Sequence, residues 1–98
     1  MEVQNAQGTA NDVPPNGFNS WLDFWKSTWG LSSDFPLRCG NRDCQNSAED
    51  GAHVVKINVY TRKPERDKKV YILPLCHECN MDKEKIFSAC YALAEVEK

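Results

Sequence analysis

Between residues 18 and 30 the apolar positions recur at helical spacing. Phe18, Trp21, Leu22, Trp25 and Trp29 fall at i, i+3, i+4, i+7 and i+11 and form one stripe. Asn19 or Ser20 can cap its start, Asp23 lies in the first turn, and Gly30 stands where the helix would end. From 53 to 60 the pattern changes to β-branched residues that alternate with polar ones after Val55, and 69–73 has the same character. The two runs predict a hairpin with a long charged tip, 61–68, centred on Pro64. Pro74 has no amide proton to give a ladder and is expected to end the second strand. Beyond it, Ile86, Phe87, Cys90, Tyr91 and Ala94 share a helical face, and Asp82 and Glu84 favour the N-terminus of a closing helix.

Residues 1–17 carry no such pattern and few large apolar groups, so they read as a disordered leader closing in a turn at Pro14-Pro15-Asn16-Gly17. Residues 18–98 then form a single domain, which is what 98 residues with 41% hydrophobic and 27% charged content allow. The first residues have neither the basic nor the apolar region of a secretory signal, and no apolar run approaches the ~20 residues of a membrane span. The expectation is a cytoplasmic protein with no membrane association.

Composition changes the picture at the five cysteines. In a reducing compartment disulfides are not expected, and metal binding becomes the better reading. Cys39 and Cys44 form a C-x4-C pair, Cys76 and Cys79 a C-x2-C pair, and the hairpin between them can bring the pairs together. Zinc takes four such ligands in a tetrahedron. The competing reading is four buried cysteines packing as small apolar groups. Their neighbours Arg38, Gly40, Asn41, Asp43, His77 and Glu78 are loop residues and speak against it. Four cysteines leave no open coordination position, so the zinc is structural, a staple for a chain with a thin core. Cys90, on the apolar stripe, is expected in the core. The architecture predicted is α+β: a small zinc-bound treble clef of knuckle, β-hairpin and α-helix, with an additional N-terminal helix.

The net charge is −2, and four thiolates around one Zn²⁺ would take it to about −4. That balance opposes tight non-specific binding to nucleic acid. The charge is unevenly spread, however. From Lys56 to Lys69, the basic residues Lys56, Arg62, Lys63, Arg66, Lys68 and Lys69, against Glu65 and Asp67, give +4 and leave −6 elsewhere. Such a tip suits contact with the phosphates of DNA, or else is a solvated turn whose charges keep strand edges from pairing with other chains. Trp21, Trp25 and Trp29 either complete the core across the hairpin or present a face to a protein partner.

Cys39 and Cys44, then Gly51-Ala52-His53-Val54, then the run from Tyr71 through Leu75-Cys76-His77-Glu78-Cys79-Asn80 resemble the zinc-containing subgroup of the HNH (ββα-metal) endonucleases. The resemblance spans 38 to about 90 and suggests a bacterial or phage context. It implies that His53 is the general base and that Asn80 binds a catalytic Mg²⁺ or Mn²⁺. Two positions depart from the family pattern: Ala52 stands where an Asp is common, and Tyr71 where an Asn orients the histidine. Magnesium wants hard oxygen ligands, and with Ala52 only the Asn80 amide remains from the motif, beside Glu49, Asp50 and Asp82 as nearby substitutes. His53 has two further readings: hydrogen-bonding a backbone carbonyl or supporting a thiolate ligand, or ligating the zinc directly. His77 is expected to face solvent.

The sequence thus predicts a zinc-binding HNH-like protein, non-catalytic or weakly catalytic, that binds nucleic acid or a nucleic-acid-associated protein. The alternatives are an active divalent-metal nuclease using His53 and Asn80, and an adaptor or inhibitor acting through the Trp helix.

Overall fold

The two β-branched runs pair in antiparallel fashion as strands β2 (Asp50–Asn58) and β4 (Tyr71–Leu75), in a register that sets His53 opposite Ile72 and Ala52 opposite Leu73. A computed structural model describes residues 1–7, 13–67 and 69–96. The remaining elements are β1 (Glu2–Asn5), α1 (Trp21–Thr28), β3 (Lys63–Pro64), α2 (His77–Met81), β5 (Ile86–Ser88) and β6 (Ala94–Glu95). They make an α+β fold around one antiparallel sheet of order β5-β1-β2-β4-β6, with β3 paired to the far end of β2.

Strand alternation divides the sheet into two faces. Val3, Ala52, Val54, Tyr71, Leu73 and Leu75 pack with Cys39, Cys76 and Phe87 on one. Ile72 meets Trp25 and Ala94 on the other, beneath α1. Helix α1 starts where Ser20 accepts a hydrogen bond from the Asp23 amide (3.1 Å) and stops at Gly30, whose φ of 74° suits a residue without Cβ. Trp25 is its anchor, buried, with the indole N–H donating to the Ala92 carbonyl at 2.9 Å. At Gly51 the helix backbone lies directly on β2: a Cβ there would collide with the Trp21 carbonyl carbon and the Leu22 nitrogen.

Three expectations are overturned. Residues 2–5 are not disordered but form β1, the strand between β5 and β2, because Val3 and Asn5 fill the cysteine-side face while Glu2 and Gln4 point away and hydrogen-bond Ser88 and the Glu84 carbonyl. The closing helix is replaced by the five-residue α2 and two short strands. Asn5 is 2% exposed, and its amide donates to both the Cys79 and Asp82 carbonyls at 2.7 Å, the very groups a continuing helix would need as acceptors. Asp82 reinforces the stop by accepting from the Glu84 and Lys85 amides, each at 3.2 Å. Finally, Pro74 lies inside β4 rather than ending it. Its carbonyl accepts from Gly40 (2.7 Å), so the side of Pro74 that lacks an N–H faces the knuckle and not β2, and no ladder bond is lost.

Candidate metal centre

Cys39 and Cys44 are held by a turn folded around Asn41. The Asn41 carbonyl accepts from the Cys44 amide (2.9 Å), and its side-chain oxygen accepts from the Asp43 amide (3.1 Å). The loop is tied to the sheet where Gly40 donates to Pro74, a contact too close for any Cβ at position 40: one would lie 2.5 Å from the Pro74 oxygen. Cys76 follows β4 directly and begins α2, with its carbonyl accepting from Asn80 (3.0 Å), and Cys79 lies within that single turn.

The four sulfurs all lie within 4.8 Å of one another. Cys44 and Cys76 are 3.7 Å apart, against an edge of roughly 3.8 Å for a tetrahedron with zinc–sulfur bonds of ~2.3 Å. None of the cysteines among the described residues is in a disulfide. The cluster is therefore built to hold a metal ion, and its all-sulfur donor set fits zinc.

Polar groups around the cluster are aimed at the sulfurs. The Cys76 amide donates to the Cys39 sulfur (3.3 Å), the Asn41 amide to Cys79 (3.6 Å) and the Asn46 amide to Cys76 (3.7 Å). Burial works against ionisation of Cys76, yet the Cys79 amide, Asn46 and the neighbouring thiols outweigh it and bring Cys76 down to about 7. Burial pushes Cys79 up to about 12 even with Asn41 donating to it, and it also raises Cys39. One thiolate is easy and four together are not, since like charges this close repel strongly without a cation among them. A divalent ion resolves that repulsion. Asn46 was not singled out in the sequence, and Asn41 was named only as a loop neighbour of Cys39; asparagines inside and just after a C-x4-C turn were the only signal of their role.

Cys90 is not in the core. It is exposed on the turn after β5, and its thiol meets the Cys39 carbonyl at 3.6 Å. It takes no part in the sulfur cluster.

His53 and Asn80 are not brought together. His53 shares its face of β2 with Gly51, under α1, and its ring meets the Trp21 ring edge-on at 4.8 Å between centroids. Asn80 is on the cysteine side, donating to Asp50 Oδ2 (3.1 Å), which also meets Nδ1 of the solvent-facing His77 at 3.2 Å. Alternation along β2 therefore sets the His53 side chain on the α1 face and Asp50, with which Asn80 bonds, on the cysteine face.

The basic residues also separate. The Lys56 ammonium lies over the Tyr71 ring, 4.6 Å from its centre, and Lys69 is paired with Glu95 at 3.1 Å. Lys68 lies outside the described residues. Arg62, Lys63 and Arg66 are exposed and in no ion pair among the described residues. Of the tryptophans, Trp25 is core, Trp21 is half-buried against His53, and Trp29 is 47% exposed. A cleft of about 610 Å³ beside α1 is lined by Pro15, Trp21, Phe24, Thr28, Glu95 and Val96, and its one carboxylate is the one held by Lys69. No helix among the described residues is long and apolar enough to cross a membrane.

No protein-family model, curated protein or solved structure matches the chain.

Proposed function

We propose that this chain is a zinc-stapled, non-catalytic domain of HNH-like, treble-clef type that binds nucleic acid through the turn joining β2 and β3. The zinc is structural, because four cysteines fill a tetrahedron and leave no position for water or substrate. The treble-clef reading is supported by the succession of cysteine knuckle, β2–β4 hairpin and a second cysteine pair at a strand-to-helix junction. The non-catalytic reading is supported by the alternation of β2, which points His53 to the α1 face and Asp50, the partner of Asn80, to the cysteine face. A general base must come within hydrogen-bond reach of the water it activates, beside the ion that orients the phosphate.

The observation that carries the binding reading is a set of three exposed cations with no ion pair among the described residues: Arg62 in the turn, Lys63 at the start of β3 and Arg66 just beyond it. The rest of the chain is acidic, so the contact is confined to this tip and its affinity is strongly salt-dependent.

Fluorescence anisotropy with labelled oligonucleotides at 50 and 150 mM KCl tests it, comparing the zinc-loaded protein with an Arg62→Gln/Lys63→Gln/Arg66→Gln variant. The variant should bind about tenfold more weakly at the lower salt and show a log–log salt slope shallower by about 2–3. A wild-type protein that binds nothing at 50 mM KCl, or a triple variant that binds as well as wild type, removes the reading.

A further inference from the structure

Resting on that reading, we infer that the tip receives an unpaired base on the ring of Tyr60, so that the nucleic acid it accepts is single-stranded. Tyr60 is 92% exposed, and Val59 beside it is 56% exposed. Neither side chain is needed to build the turn. Asn58 does that, its side-chain oxygen accepting from the Tyr60 amide (2.9 Å) and the Thr61 amide (3.2 Å), and its carbonyl accepting from Arg62 at 2.8 Å. Arg62 takes up the left-handed conformation at φ 59°, the Thr61 hydroxyl accepts from the Lys63 amide at 3.3 Å, and Lys63 and Pro64 return against Asn58 and Ile57. The turn is thus locked from within and holds an aromatic ring out in water, where it contributes nothing to the core.

A flat ring on the turn that also carries Arg62 and leads into Lys63, with Arg66 farther along past β3, combines the two elements of single-strand recognition, a stacking platform and cations for the backbone. A duplex offers no partner for such a ring, because its bases stack on one another and present only their edges in the grooves. An unpaired strand offers a face. The locked turn means that little ordering remains to be done on binding.

The test uses the zinc-loaded full chain with a fluorescein-labelled thymidine 12-mer and a hairpin duplex of the same strand length, with Tyr60→Ala and Tyr60→Phe variants. Wild type should prefer the single strand, Tyr60→Ala should lose about tenfold on the single strand and little on the duplex, and Tyr60→Phe should stay close to wild type. Unchanged zinc content and near-ultraviolet dichroism establish that the exposed substitution leaves the fold intact. Equal or tighter binding to the duplex, or a Tyr60→Ala variant that binds the single strand like wild type, overturns the stacking inference and leaves the charge-based reading standing if the triple variant still loses affinity. Failure of wild type to bind either probe overturns both.

Discussion

Replacing Gly51 by alanine adds one methyl group where α1 rests its backbone on β2. The new Cβ would collide with the Trp21 carbonyl carbon and the Leu22 nitrogen and lie 2.8 Å from the Trp21 Cβ. An ordinary carbon–carbon contact is ~3.5 Å or more, so even the last of these is short by about 0.7 Å. Two of the three obstacles are helix backbone and cannot swing aside as a side chain could. The whole helix must lift by a comparable distance, loosening Trp21 from His53 and drawing Trp25 away from Ile72 and Ala94. Overpacking of this kind costs about 1–3 kcal/mol. With a urea m-value of about 1–2 kcal/mol/M for so small a domain, the unfolding midpoint should fall by about 1 M. Tryptophan fluorescence reads it directly, and the native emission of Gly51→Ala should also shift to the red. Zinc stoichiometry should not change, because the cysteines lie on the opposite face of the sheet. An unchanged midpoint would refute the close seating of α1, and loss of zinc would refute the independence of the two faces.

Removing the metal with a strong chelator should abolish near-ultraviolet dichroism, since four-thiolate zinc binding is worth ~10–16 kcal/mol against a total stability of ~5–15; a spectrum that persists after the zinc has been released says otherwise. Cys44→Ser should lower the zinc bound per chain, whereas Cys90→Ser should leave both zinc content and stability within about 0.5 kcal/mol of wild type. Acidification should release the metal: burial makes the Cys39 and Cys79 thiols hold their protons more tightly than free thiols, binding expels those protons, and occupancy against a competing chelator therefore falls as pH falls. An occupancy flat from about pH 8 to 5 would exclude an all-thiolate site. Asn5→Ala should cost about 2 kcal/mol in urea unfolding by orphaning the Cys79 and Asp82 carbonyls, an effect impossible for a residue in a disordered leader.

The parts of the fold written locally were legible in the sequence. Ser20 and Gly30 mark the ends of α1, the β-branched runs give β2 and β4, and the C-x4-C and C-x2-C spacings give the sulfur cluster. What was missed depends on residues far away in the chain. Glu2-Val3-Gln4-Asn5 has a single apolar side chain and reads as a strand only once Phe87 and Val54 are its neighbours. The stripe from Ile86 to Ala94 fits a helix equally well on paper. It loses to strand pairing because Asn5 occupies the carbonyls at the end of α2, an interaction across 74 to 77 positions that no local pattern contains. Pro74 escaped its usual rule for a similar reason: which side of β4 stays unpaired is decided by the knuckle at Gly40. His53 and Asn80 were paired on a resemblance in sequence order, which does not contain the alternation of β2 that turns His53 toward α1 and Asp50, the partner of Asn80, toward the cysteines.

The position of β1 also sets an order of assembly. Glu2 pairs with Ser88, and Gln4 with Ile86, so β1 cannot join the sheet on this side until β5, far along the chain, is available. The sulfur cluster needs only residues 39–79 and can gather its ion before β5 and β6 are in place. Folding of such a chain would run outward from the metal, with the N-terminal strand left unclosed until β5 emerges to lie beside it. A bulky group joined directly ahead of β1 would then be felt as a slowed final step of folding rather than as a loss of the metal site.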